Sequence, residues 1–483
     1  MRRPESIIQH LIDLQGQPVL VVGDVMLDEY VIGDVQRISP EAPIPILSHQ
    51  TSFRTTGGAA NVARNLAQLG SQVTLIGCLG KDPLADALSD ALALIPNLIF
   101  CPISCAERRT TVKTRYLSSG QQILRVDWET TTYITSEQGK QIEQQVESLI
   151  GEMKVLVLSD YAKGCLSPAL MARLISLAKA KNIAVIADPK SVDFSDYAGA
   201  TLLTPNLSEL SKACGRSLST SDEIEDAART QMQHHKIEKI LVTLSARGMM
   251  LVDAKRAVHT PAHPCDVFDV SGAGDTVLAL MTSARMTNHS DEDGMHFANL
   301  AASLVIAKTG TASLSPGELL VATKIEAINT DIEHIKQLVA QWKANKKTVG
   351  LTNGCFDLLH PGHLHILRHA SLRCDHLIVA LNSDKSVNRL KGQTRPIQSQ
   401  QDRTRAVSAL SFVSAVTVFS DDTPESLINS LCPDVLFKGG DYKSEDIVGY
   451  EHVTANGGRV EIIPTLPDYS TSCFLDTNPM AAK

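Results

Sequence analysis

The chain has 483 residues, and at roughly 100–200 residues per domain this allows two to four domains, each with a core of its own. With 43% hydrophobic and 20% charged residues the composition is that of a globular protein, which excludes a disordered, fibrous or membrane chain. Its 45 Lys and Arg against 53 Asp and Glu leave a net charge of −8, which argues against nucleic acid as the main partner but not against small phosphorylated ligands, since backbone amides bind those whatever the net charge.

Met1–His10 holds two arginines with no apolar run behind them, so no secretory leader is expected. No apolar run approaches the roughly 18 residues of a membrane span. Ten cysteines are scattered from Cys78 to Cys473 without a CxxC pair, and the Cys101–Cys105 spacing has no His to complete a zinc site. Reduced thiols in a cytoplasmic protein are expected.

Pro18–Gly23 (PVLVVG) reads as a buried strand with Asp24 at its carboxyl end, where α/β folds bind ligands. Tyr30–Arg54 and Arg108–Trp128, rich in Val, Ile, Thr and Tyr, read as a small projecting β-sheet, a candidate lid. Between them Gly57–Ala63 (GGAANVA) is a glycine-rich turn into a helix, with Asn61 able to hydrogen-bond a polyol. Strands follow at Val73–Gly77, Lys154–Ser159, Ile183–Ala187, Ala200–Leu203 and Lys239–Leu244. Ser167 suits an N-cap and Pro168 the first turn of a helix to Ala180, with Leu170, Met171, Leu174, Ile175 and Ala178 on one face. Short apolar strands alternating with amphipathic helices predict a doubly wound, mostly parallel sheet covered on both sides. Thr204–Glu209 (TPNLSE) is another strand-end turn, carrying Asn206, Leu207, Ser208 and Glu209.

Asp269–Thr276 reads DVSGAGDT and opens a helix. Gly272 and Gly274 bare the backbone N–H groups, the helix adds its positive end, and Asp275 can take a proton from an attacking hydroxyl. Phosphoryl transfer needs little more from a protein. An Asp in a helix first turn is common, so the neighbouring motifs decide the matter.

The alternation halts near Leu314–Gly317, and Ile332, Ile335, Leu338, Val339 and Trp342 fall on one helical face. This predicts a helical linker over 319–345 between a large domain, 1–318, and a small one, 346–483. The small domain starts with a strand ending at Asn353–Gly354 and continues Cys355–Phe356–Asp357 into His360–Pro361–Gly362–His363. Two imidazoles at a helix start can donate to phosphate oxygens. Helix cap and half a metal site are the other readings, but no third ligand stands at matching spacing. Strands follow at His376–Leu381, Ala415–Phe419 and Arg459–Ile463.

The first block resembles the ribokinase-like (pfkB) sugar kinases over about residues 15–315: GAGD, GGAANVA and NxxE stand in the family's order. The resemblance implies that Asp275 is the general base and that the amides of Gly272, Ala273 and Gly274 form the anion hole. It also implies that Asn206–Glu209 lie near ATP and Mg²⁺, with Glu209 toward the metal, and that Asp24, Gly57, Gly58 and Asn61 contact the sugar. No GxxxxGK[ST] is present, which sets aside a P-loop kinase. The second block resembles the cytidylyltransferase-like nucleotidyltransferases over about 346–472, a smaller Rossmann-like domain. NSD (Asn382–Asp384), Lys391, Arg395, Pro396 and KGGDY (Lys438–Tyr442) stand in order. This implies that His360 and His363 bind nucleotide phosphates and that Asp357 and Lys391 lie at the reacting centre. Asn353, Gly354, Phe356 and Lys438 would hold nucleotide or substrate. Ser470–Ser472 stands where that family has a Ser-Thr turn, but the tail lacks the family's nearby basic residues.

Together the blocks, with AERRTTVKTR (Ala106–Arg115), resemble the bifunctional heptose 7-phosphate kinase/heptose 1-phosphate adenylyltransferase family. That implies ATP as co-substrate, ADP-heptose for lipopolysaccharide core as product, a separate phosphatase between the steps, and a homodimer. Lys113, Arg115 and Lys190 are candidate partners of the distal sugar phosphate, with solvated surface charge as the other reading. A vitamin-type kinase fused to an adenylyltransferase, or a non-catalytic sensor, would carry the same motifs.

Overall fold

The structure is a computed structural model and describes residues 4–263, 265, 267–308, 310–326, 332–410 and 412–465. These fall into two compact units, Glu5–Leu319 and a second that begins at Leu320. Among the described residues no helix is long and apolar enough to cross a membrane.

The strands of the first unit are β1 (Pro18–Gly23), β2 (Val25–Ile38), β3 (Pro45–Gly58), β4 (Gln72–Leu79), β5 (Leu98–Ser104), β6 (Thr111–Ser118), β7 (Gln121–Trp128), β8 (Val155–Ser159), β9 (Ala184–Asp188), β10 (Leu202–Leu203), β11 (Lys239–Thr243), β12 (Met249–Val252) and β13 (Ala257–Thr260). Nine of them form one sheet in the order β13-β12-β11-β10-β9-β8-β1-β4-β5. Its pairs are parallel from β5 to β11 and antiparallel at β11–β12 and β12–β13. The all-apolar β1 explains itself by burial on both faces. Leu20 and Val22 join one core with Ile142, Leu174 and Ile224 of the helices Ser136–Leu149, Pro168–Ala180 and Ser221–His235. On the opposite face the helices Ala59–Leu69 and Ala273–Met286 pack against β1, β4, β8 and β9. The helix Pro168–Ala180 buries Leu170, Met171, Leu174, Ile175 and Ala178, the face read from the sequence, and the Ser167 hydroxyl caps Leu170 N–H at 3.3 Å.

The projecting sheet has the order β3-β2-β6-β7. It is longer than the sequence suggested, starting at Val25 and ending on Gly57 and Gly58 themselves. The register sets Asp28 opposite Lys113 and Tyr30 opposite Arg115, so alternate residues of two strands aim their charges the same way.

The second unit carries β14 (Val349–Gly354), β15 (His376–Asn382), β16 (Ala415–Phe419), β17 (Val435–Gly439) and β18 (Arg459–Ile463), all parallel, in the order β16-β15-β14-β17-β18. The helix Ile332–Ala344, read as part of a linker, supplies Ile335 and Val339 to this unit's core. Its Trp342 stacks on His376 with centroids 4.1 Å apart. The apolar stripe that made it a helix in the sequence is the reason it packs. Ser470–Ser472 and the tail lie outside the described residues.

A Cβ on Gly23 would sit 2.1 Å from the carbonyl oxygen of Ser159, where β1 meets β8. Gly23→Ala is therefore expected to destabilise the first unit by about 1–3 kcal/mol. Urea unfolding of the full chain should show an earlier transition for that unit and an unmoved one for the second.

Candidate functional site

Asp275 lies in the first turn of the helix Ala273–Met286, whose N-cap is Gly272 at φ 81°. That left-handed backbone and the 2.9 Å from a would-be Cβ to Asn61 Nδ2 both require glycine at 272. A Cβ on Gly274 would meet nothing within 4 Å, so the helix start is open on that side. Asp275 is only 2% exposed. Tyr161 Oη donates to its Oδ1 at 2.6 Å and Asn61 Nδ2 to its Oδ2 at 2.7 Å. Burial pushes its pKa up to about 6; the two donors oppose that rise, Asp28 adds to it and Arg64 subtracts from it. A carboxylate so placed is ionised at neutral pH yet close to the range where it can take and return a proton.

Asn61 is held in turn, because Arg64 Nη2 donates to its Oδ1 at 2.7 Å. Gly57 and Gly58 end β3 beside it. A Cβ on Gly57 would lie 2.3 Å from Asp28 Oδ2, and one on Gly58 would lie 2.4 Å from the Asp24 carbonyl. The carboxylate nearest the glycine turn is therefore Asp28, which is buried and paired with Arg115. Asp24 accepts from the N–H groups of Tyr161 (2.9 Å), Lys163 (2.9 Å) and Cys165 (3.0 Å). With three of its roughly four acceptor positions filled, it shapes the turn after β8 and has little capacity left for a sugar hydroxyl.

The candidate lid cations separate. Arg115 is taken by Asp28. Lys113 pairs with no carboxylate among the described residues and sits 5.3 Å over the Tyr161 ring, its pKa lowered by burial. Lys190 does not join them: its Nζ bonds Glu209 Oε1 at 2.6 Å. Asn206 and Glu209 form a reciprocal capping box on the helix Leu207–Ala213, with Leu207 and Ser208 in its first turn. Asp188, at the end of β9, stands well above the usual carboxylate range through burial and its neighbours Glu209 and Asp275.

In the second unit Asn353 and Gly354 end β14, and Phe356 turns at φ 46° to lie beneath His363, ring centroids 5.0 Å apart. His360 is the N-cap of the helix Pro361–Ser371, and its ring stacks on His363 at 3.8 Å. The buried His360 Nδ1 has no hydrogen-bond partner. His363 Nδ1 donates to the Leu358 carbonyl at 3.1 Å, which leaves Nε2 facing away with a lone pair. Burial, then His360, lowers His363 to about 4, and Lys391 pushes both rings the same way. Lys438 Nζ lies 3.2 Å from Asn353 Oδ1, its pKa lowered by burial. An orphan ring nitrogen, two stacked imidazoles and two lysines make a site short of one polyanion.

Asp357, expected at the reacting centre, is 1% exposed in the turn after β14. Its oxygens accept from Arg395 Nη1 (2.7 Å), Ile397 N–H (2.7 Å) and Gln398 N–H (3.2 Å), so it anchors the 395–398 segment. Arg403, which no sequence motif marks, is fully buried. It donates to the carbonyls of Cys355 (2.7 Å), Asn382 (2.9 Å) and Gln398 (3.2 Å) and to Asp384 (2.7 Å), tying three loops of this site together.

Residues 17–317 match the pfkB family carbohydrate kinases, and residues 351–473 match the cytidylyltransferase-like family. The bifunctional protein HldE of Granulibacter bethesdensis is 43% identical over 474 residues, covering 95% of this chain and 98% of its own. That of Paramagnetospirillum magneticum is 41% identical over 479 residues, 98% of each chain. The chain belongs to the bifunctional HldE family. Within the HldE architecture the first unit has the fold of Escherichia coli phosphofructokinase-2, with a TM-score of 0.54 at 23% identity over 63% of this chain and 97% of that one. Arabidopsis thaliana ribokinase gives 0.53 at 21% identity, over 64% and 99%. The chain is thus an enzyme that pairs a carbohydrate kinase with a nucleotidyltransferase.

His363 can hydrogen-bond a phosphate oxygen through Nε2 only after gaining a proton, because Nδ1 is committed to Leu358. Binding a triphosphate should raise its pKa and draw in a proton, so affinity at this site should rise as pH falls from 7 toward 5. Calorimetry of a non-hydrolysable ATP analogue in buffers of different ionisation enthalpy should detect that uptake, and His363→Asn should remove it.

Proposed function

We propose that the chain activates a heptose in two steps. The first unit phosphorylates the anomeric hydroxyl of heptose 7-phosphate from ATP, giving the 1,7-bisphosphate. The second unit transfers AMP from ATP to heptose 1-phosphate, giving ADP-heptose and pyrophosphate. One observation carries this reading: a single chain, in HldE order, sets a buried carboxylate at one helix start and stacked histidines with an orphan nitrogen at another.

In the kinase step Asp275 takes the proton as the hydroxyl oxygen attacks the γ-phosphorus and ADP leaves with the bridging oxygen, and the amides of Gly272, Ala273 and Gly274 with the helix end meet the charge on the phosphoryl oxygens. Asn61, Gly57 and Gly58 line the sugar side with Asp28. Lys113, the one of the three candidate cations that pairs with no carboxylate among the described residues, takes the distal phosphate. Asn206–Glu209 face ATP. Mg²⁺ that keeps its waters and rides on substrate phosphates needs few ligands from the protein. Glu209 would hold the ion, which when bound would neutralise charge on the β- and γ-phosphates. In the second step a phosphate oxygen of heptose 1-phosphate attacks the α-phosphorus of ATP and pyrophosphate leaves. His360, His363, Lys391 and Lys438 meet the charge, and Asp357 and Arg403 keep the loops in place. The same reading puts a homodimer in the cytoplasm, acting on soluble sugar phosphates without nucleic acid or membrane.

With heptose 7-phosphate and heptose 1-phosphate offered separately, Asp275→Asn is expected to cut ADP release roughly 10²–10⁴-fold and leave pyrophosphate release intact. His363→Ala should do the reverse, by roughly 10²–10³-fold. Equal loss of both activities in either variant would contradict the division of labour.

A further inference from the structure

We infer that Tyr161 and Arg64 are positioning residues for the kinase base: the Tyr161 phenol clamps one carboxylate oxygen of Asp275, and Arg64 clamps the other through the Asn61 amide. This rests on Asp275 being the base. No sequence motif of the kinase block includes either residue.

Arg64 is fixed before it acts. Its guanidinium donates to the Thr311 carbonyl at 2.6 Å, to Thr55 Oγ1 at the end of β3, and to Asn61 Oδ1 at 2.7 Å. A guanidinium can only donate, so it dictates that the amide oxygen of Asn61 points to it and the amide NH₂ points to Asp275 Oδ2. Tyr161 is fixed from the other side: its N–H is held by Asp24 Oδ2 at 2.9 Å, and its ring lies under the Lys113 ammonium. Burial, and next the Asp275 charge, keep the phenol protonated, so its O–H donates.

The charged and titratable groups facing Asp275 are Arg64 from the helix Ala59–Leu69, Tyr161 from the turn after β8, Asp28 from β2 and Asp188 from the end of β9. Burial and Asp28 favour a protonated, useless carboxyl. The two donors and the guanidinium favour the ionised one and fix which lone pairs remain for the hydroxyl proton. Removing a donor should therefore cost activity at low pH more than at high pH.

The test is the pH profile of kinase kcat/KM in the full chain for wild type, Tyr161→Phe, Arg64→Lys and Asp275→Asn. A hydrogen bond to a charged group corresponds to a shift of about one pH unit or more. Tyr161→Phe should move the acid limb up by about that much, with a high-pH plateau within a few-fold of wild type. Arg64→Lys, which keeps the charge and loses the fork, should move it less in the same direction. A limb that stays put, or a loss equal at every pH, overturns the inference. If Tyr161→Phe proves unfolded by thermal denaturation, the Arg64→Lys limb decides alone: raised supports, unmoved overturns. If Asp275→Asn keeps the wild-type plateau, the base assignment itself fails. If it is dead and the Tyr161→Phe limb is unmoved, only the positioning role fails.

Discussion

A carboxylate taken out of water must be supported or it becomes neutral, and the kinase unit is organised around one such group. Asp275 is 2% exposed, and the helix that carries it offers its positive end. Support arrives from three other elements: the helix after β3 through Asn61 and Arg64, the turn after β8 through Tyr161, and the 310–311 turn that fixes Arg64. The parallel sheet makes this possible, because β1, β8 and β9 all release their chains at the same edge. The glycines at 57, 58 and 272 let those chains approach closely enough to touch.

The second unit solves the complementary problem. There a polyanion must be met, and the chain holds imidazoles and lysines ready for it. His360 and His363 are stacked and pushed toward the neutral state by burial, with His360 adding to the effect on His363 and Lys391 to that on His360, and burial also lowers the pKa of Lys438. A neutral imidazole that meets a phosphate is favoured to gain a proton, which couples recognition to protonation. The rigid part is Arg403, which fills its donors with loop carbonyls and Asp384, and Asp357, which fills its acceptors with the 395–398 segment.

What the sequence disclosed follows from how local each signal is. The helix Pro168–Ala180, its cap and its buried face are set within a few residues, and they were legible. The glycine turns at Gly57, Gly58 and Gly272 and the histidine pair were legible because their spacing is itself the chemistry. Tyr161 was not, since its partner Asp275 lies 114 positions away and a tyrosine after a strand has no signature of its own. Arg64 left a faint trace, three positions after Asn61 on one helix, where neighbours touch. Asp28 left another, four positions after Asp24 inside a β-rich run, where a single acid has no signature of its own. Arg403 sits amid Gln400, Gln401, Asp402, Thr404 and Arg405, a run that reads as solvated surface. Only the fold reveals that it points inward.

The kinase unit turns on Asp275 being a buried acid held partly ionised by its donors. Its most direct test is a carboxyl ¹³C NMR titration of that side chain in the full chain, assigned with Asp275→Asn. The expected midpoint is about 6. A midpoint near the ordinary aspartate value of about 3.9 would mean that the carboxylate is solvated, and would contradict the arrangement described.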